Sequence, residues 1–247
     1  MKQLRFSYVL IYAAVLVFMT ACGGGGREKT NTDSTAMDTT PSAAEVTPVN
    51  STVVTAPQSM MVTKFKVTNF TKWLPSYEGH DSVRMASKIH SYVIGRGLQD
   101  SNMVLVAVKV EDMDKAKAFS KDASLKEAMK KGGVIGAPTF NFVTMVFQDT
   151  AQVNADIRSS AMFTVKDWDA WQKAFEEGKQ SRMENGIAVR AYGHDVDDNH
   201  KVVVVTALTD TAKAHAYWKS DMLKKRMKDA GIEGEPQRFM FRVVKRY

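Results

Sequence analysis

Two segments of the chain carry rings and cations at alternate positions, the pattern from which a binding or catalytic face could be built. His90, Tyr92, Ile94 and Arg96 alternate with Ser91, Val93 and Gly95; further on, Arg190, Tyr192 and His194 alternate with Val189, Ala191 and Gly193. Successive side chains of a strand point to opposite faces, so each segment has one small or aliphatic face and one of rings and charges. We expect the second face to line an interior cavity. Tyr92, Arg96, Arg190, Tyr192 and His194 would there bind a small anionic or aromatic molecule, Arg190 holding a carboxylate by two parallel hydrogen bonds. The competing expectation is that these polar tips simply reach water. Upstream, Trp73, Tyr77, His80 and Arg84 recur at helical spacing and share one face. His80 and His90 are the candidate catalytic residues, because imidazole titrates near neutral pH. In the plainer reading Trp73 and Tyr77 are core, and Arg84 and Arg182 tie down nearby carbonyls.

Several chemistries find no residues to perform them. His80, His90, His194, His200 and His215 show no close ligand spacing, so no metal site is expected. There is no glycine-rich phosphate loop and no Gly-x-Ser-x-Gly elbow, and no cofactor is expected. The single cysteine, Cys22, excludes an internal disulfide, a CxxC pair and a thiolate zinc cage. The fifteen methionines are scattered and read as gap-filling core. The net charge is +7, with a local excess at Lys224-Lys225-Arg226-x-Lys228. In an exported protein that run is a solvated helix face, touching anionic membrane at most, and no nucleic acid partner is expected.

Export is read from the first residues. Lys2 and Arg5 precede an apolar run from Phe6 to Phe18. The run falls short of the roughly twenty residues of a spanning helix and matches an export signal. It ends in Met19-Thr20-Ala21-Cys22, which resembles the lipobox of bacterial lipoproteins, with Met19 where leucine is usual. The resemblance implies cleavage before Cys22, acylation of its thiol and a lipid bilayer as partner, two or three acyl chains giving stable anchoring. Gly23 in the next position, again by resemblance, implies the outer membrane of the cell envelope. Residues 1–21 are thus read as signal peptide. Residues 22–59, rich in Gly, Ser, Thr, Ala and Pro, are read as a disordered tether.

The elements that must position the candidate residues follow from a repeat. Shifted by 98 residues without a gap, Trp73 meets Trp171, Arg84-Met85 meets Arg182-Met183, and Asp112-x-x-Lys115-Ala116 meets Asp210-x-x-Lys213-Ala214. Gly133-x-x-Gly136-x-Pro138 meets Gly231-x-x-Gly234-x-Pro236. Such self-similarity governs the fold. Each copy reads as a strand, a helix capped by Asn69 or Asp167 and a second strand carrying the ring-and-charge face. A turn at Asp100 or Asp198 leads to a third strand. A second helix follows over 113–131 or 211–229, ended by Gly133 or Gly231, and the last strand comes after the proline. Pro75 should kink the first helix of the first copy. The expected class is α+β, two tandem ferredoxin-like β-α-β-β-α-β repeats over 60–149 and 160–247 with a linker at 150–159.

The element order, the Trp73 and Arg84 pattern and the Asp112-Lys115-Ala116…Gly133-x-x-Gly136-x-Pro138 run resemble the dimeric α/β-barrel superfamily, which includes antibiotic-biosynthesis-type monooxygenases. That resemblance implies a pseudo-dimeric α/β barrel closed within one chain. It fixes an architecture more than a reaction. Three functions follow as expectations: a lipoprotein whose barrel binds a small molecule or a protein partner, a cofactor-independent monooxygenase or isomerase-like enzyme, or a structural protein with a filled barrel. Residues shared by both copies are explained by folding. Residues that differ, such as His80 against Gly178, are where a function would have diverged.

Overall fold

The computed structural model describes residues 51–247. The expected signal peptide, Cys22 and most of the expected tether lie outside the described residues. The first pairing comes from β1 (Val53–Val54), inside the segment read as tether, and β2 (Gln58–Val67) follows. The first half continues with helices α1 (Phe70–Gly79) and α2 (Asp81–Ala86), strands β3 (Ile89–Gly97) and β4 (Met103–Val110), helices α3 (Met113–Phe119) and α4 (Ala123–Lys131), and strand β5 (Val134–Asp149). The second half repeats this as β6 (Ile157–Val165), α5 (Trp168–Glu177), α6 (Lys179–Glu184), β7 (Ile187–Asp195), β8 (Lys201–Leu208), α7 (Thr211–Lys219), α8 (Asp221–Asp229) and β9 (Ile232–Arg246).

Each helical region is started by a short polar side chain. Asn69 accepts from the Lys72 amide at 3.0 Å and Asp167 from the Ala170 amide at 2.7 Å. The repeated Asp-x-x-Lys motif is the same device: Asp112 accepts from Lys115 N at 3.0 Å, and Asp210 from Lys213 N at 2.9 Å. Such caps are worth about 1 kcal/mol each. Asp167→Ala should therefore lower the melting temperature by about 2–4 °C, a shift that a circular-dichroism melt resolves.

Both expected helices are in fact pairs. Asp122 and Ser220 each start a fresh helix where one continuous helix was expected. The first helical region also breaks, at His80, but Pro75 is not the cause. The second half carries Lys173 in place of the proline and breaks at the matching Gly178. What the two halves share there is an arginine. Arg84 Nη1 donates to Tyr77 O and Arg182 Nη1 to Phe175 O, each at 2.6 Å, satisfying carbonyls that a helix end leaves open. The last strands begin before their prolines, at Val134 and Ile232. Residues 136–138 lie where the pairing of β5 with β2 skips, so Pro138 needs no ladder donor. Gly136 supplies the left-handed backbone there, φ +72°.

Each half is a four-stranded antiparallel sheet, β5-β2-β4-β3 or β9-β6-β8-β7. β3 pairs with β9 and β7 with β5, which closes eight strands into a barrel, with β1 added along the end of β5. The helices cover the outside. Trp73 and Phe65 centre one helix–sheet core, and Trp171 and Val165 the other. The inner faces contribute a separate cluster that includes Met60, Val93, Leu105, Met145, Val203 and Phe241. The chain thus adopts the pseudo-dimeric ferredoxin-like barrel in a single polypeptide.

Candidate functional site

The barrel encloses a cavity of about 520 Å3. Its wall is apolar along Met60, Val62, Leu105, Met145 and Phe241, and the linker residues 150–153 with Ala155 and Asp156 border it at one end. At that end stand three arginines, Arg158 on β6, Arg190 on β7 and Arg246 on β9. All belong to the second half. The positions 98 residues earlier are Met60, Tyr92 and Gln148, so the three lumen arginines have no counterpart in the first half.

The arginines differ in their partners. Arg190 Nη1 lies 3.3 Å from Asp149 Oδ2, and its Nη2 donates to Ala151 O at 2.6 Å. Asp156 is engaged by Arg242 at 2.7 Å. Arg158 is 7% exposed, and its Nη1 donates to the carbonyls of Ala155 and Ile157. Among the described residues no carboxylate pairs with it. Burial pulls the Arg158 guanidinium below its ordinary pKa, Arg246 and Arg190 add to that, and Asp156 opposes it. A guanidinium held by carbonyls alone, among like charges, would be relieved by an anion. Two carbonyl contacts position it without neutralising it.

The candidate residues divide between the two faces of the sheet. Tyr92 and Arg190 line the lumen. Arg96, Tyr192 and His194 do not; they turn to the helix side, which corrects the expectation that they share a cavity with Arg190. The cause is a β-bulge. Pairing of β3 with β4 slips between Ser91 and Val93, and pairing of β7 with β8 between Val189 and Ala191. Tyr92 and Arg190 are the extra residues, and past each of them the alternation is reversed. Arg96 therefore lies over the Phe70 ring at 4.4 Å and donates to Ser101 O. Tyr192 is buried against Phe147 and Trp171, receiving a hydrogen bond from Gln172. His194 packs edge-on to Trp168 at 4.8 Å.

The two candidate catalytic histidines are not brought together. His90 lies before the bulge and meets Glu111 Oε1 at 2.6 Å, outside the lumen. His80 borders a small cleft between the helices and sheet of the first half, its Nδ1 buried without a partner among the described residues. Arg158 and Arg246 are the site residues that inspection of the second strands missed. The signal that finds them is the 98-residue comparison applied to every strand, since each is an arginine set against a neutral residue. Among the described residues no group of three or more His, Cys, Asp or Glu side chains is placed to hold a metal ion.

No family model matches the chain, and no curated protein matches it. Solved structures do. An anthrone oxidase-like protein superposes with a TM-score of 0.52 at 13% identity, over 78% of this chain and 94% of its own. A candidate monooxygenase from Fusobacterium nucleatum subsp. nucleatum gives 0.51 at 12%, over 76% and 93%. A candidate chlorite dismutase gives 0.50 at 11%, over 76% and 95%. At such identities the likeness is one of fold, the ferredoxin-like α+β barrel.

Proposed function

We propose that this chain is an envelope lipoprotein, tethered to the outer membrane through acylated Cys22, whose barrel lumen binds one small anionic molecule with an aromatic or apolar body. The observation that carries the reading is the buried Arg158, without a carboxylate partner among the described residues, beside Arg190 and Arg246 at one end of a cavity of about 520 Å3. The arginines take the charge. Met60, Leu105, Met145 and Phe241 take the body, with Tyr92 beside them. The arrangement favours one ligand per chain, because the lumen arginines occur in one half only.

The test is a fluorescence titration of the purified full chain with 2-naphthoate, using neutral 2-naphthalenemethanol as control. A hydrogen bond to a charged group contributes about 1.5–3 kcal/mol, so Arg158→Gln and Arg190→Gln should each weaken naphthoate binding about 10- to 100-fold. The alcohol should bind both variants as it binds the parent. Absence of saturable binding, or equal affinity in parent and variants, would remove the lumen site.

A further inference from the structure

The repeat offers an internal control for a second site, because each half has its own cleft between helices and sheet. In the first half the cleft is about 70 Å3 and is bordered by His80, Arg84, Ala128 and Phe140. Its single arginine has a counter-ion, Asp81, 3.0 Å away. The second half has about 110 Å3, and the matching positions are Gly178, Arg182, Arg226 and Arg238. The position of Asp81 is taken by Lys179. The second half has thus gained two arginines and lost both the acid and the histidine.

These cations converge. A Cβ built on Gly178 would lie 2.9 Å from Arg182 Nη1 and 3.3 Å from Arg226 Nη1, so both guanidinium groups border one small space that a side chain there would fill. Arg182 also lies over the Phe175 ring at 3.7 Å, and Arg238 over Trp218 at 4.6 Å. Among the described residues none of the three has a carboxylate within 4.0 Å; Glu176 and Glu235 act on Arg182 and Arg238 only from farther away. Among the described residues the Arg182 Nε is buried without a partner, as is the Arg84 Nε of the first half. Burial pulls Arg182 down to about 10, so it is still charged at neutral pH. Behind the cations the cleft is walled by Phe163, Trp171 and Phe175. Enclosed apolar cavities of roughly 150 Å3 accept benzene; this cleft is smaller, about 110 Å3, but is open at its cationic rim, so a ring seated in it would leave its carboxylate among the arginines.

We infer that the second half binds a small aryl carboxylate in this cleft, the ring against Trp171 and Phe175 and the carboxylate between Arg182 and Arg226, with Arg238 at the rim. The paired N–H groups of a guanidinium match the two carboxylate oxygens. This site is separate from the lumen and does not depend on it.

Benzoate is the probe, titrated into the full chain and followed by calorimetry and by the fluorescence of the cleft tryptophans, with benzyl alcohol as the neutral control. Arg226 and Arg238 are exposed, so Arg226→Gln and Arg238→Gln should fold normally. Each should weaken at least 10-fold the benzoate binding that quenches the cleft tryptophans, and the double variant should abolish that quench. Gly178→His, which restores the residue of the first half, should also abolish it while far-ultraviolet dichroism is unchanged. Benzoate taken up by the lumen would be lost in Arg190→Gln, whereas the quench of the cleft tryptophans should be the same in that variant as in the parent. The inference is overturned if benzoate produces no saturable quench of the cleft tryptophans, if the Arg226/Arg238 double variant shows the parent's quench, or if Arg190→Gln is the variant that loses it.

Discussion

Gly193→Ala should destabilise the barrel by about 3 kcal/mol, the upper part of the range for overpacked interiors. Gly193 sits on β7 at the seam with β5, paired with Met145. A methyl group there would run into the Thr144 carbonyl oxygen and come within 2.7 Å of Met145 Cα. Both obstacles are backbone, which cannot rotate away, so the seam itself must open. For a domain of this size the melting temperature should fall by about 6–12 °C. Gly95 holds the matching place in the first half, but a methyl there meets the Phe241 ring. A ring can yield, so Gly95→Ala should cost less than Gly193→Ala. Gly79→Ala, at the end of α1 with nothing within 4 Å, should be neutral or stabilising by up to about 1 kcal/mol. Thermal melts of the three variants check the order. Equal melting temperatures for Gly193→Ala and Gly79→Ala would mean that β7 and β5 do not close the barrel.

Cys22→Ala should abolish lipid attachment altogether. Cys22 is the only thiol in the chain, so no other cysteine can be acylated in its place. Each buried methylene of an acyl chain contributes about 0.8 kcal/mol to membrane binding, and removing all of them leaves the processed chain no hydrophobic anchor of that kind. Among the described residues no helix is long and apolar enough to cross a membrane. The expected result is loss of palmitate labelling, with the variant either released from the membrane fraction or stalled as precursor. A variant that still labels and still sediments with membrane would refute the lipobox reading.

The fold was largely legible because its signals are local or periodic. The gapless repeat implied two equal halves. The caps Asn69 and Asp167 were readable as such, whereas Asp112 and Asp210 were legible as part of the repeat and only the structure shows them capping the second helices. The bulges were not legible. Tyr92 and Arg190 are ordinary strand residues, and nothing in their type says that each is an extra residue in its ladder. Yet that single insertion decides which side chains see the lumen. A strict period of two therefore placed Arg96, Tyr192 and His194 on the wrong side while leaving Tyr92 and Arg190 on the right one. The split helices escaped for a related reason, since Asp122 and Ser220 are caps in the middle of continuous helical patterns. Asymmetry between the copies was the better guide to charge. It marks Arg158, Arg190 and Arg246 in the lumen, and Arg226 and Arg238 in the outer cleft.

The lumen site is tested most directly by a crystal structure of the full chain grown with 2-naphthoate. The carboxylate should lie within about 3 Å of guanidinium nitrogens of Arg158 and Arg190, with the rings along Met60, Leu105 and Phe241 and one molecule in each barrel. A lumen holding only water, or filled by its own side chains, at saturating naphthoate would contradict the proposal.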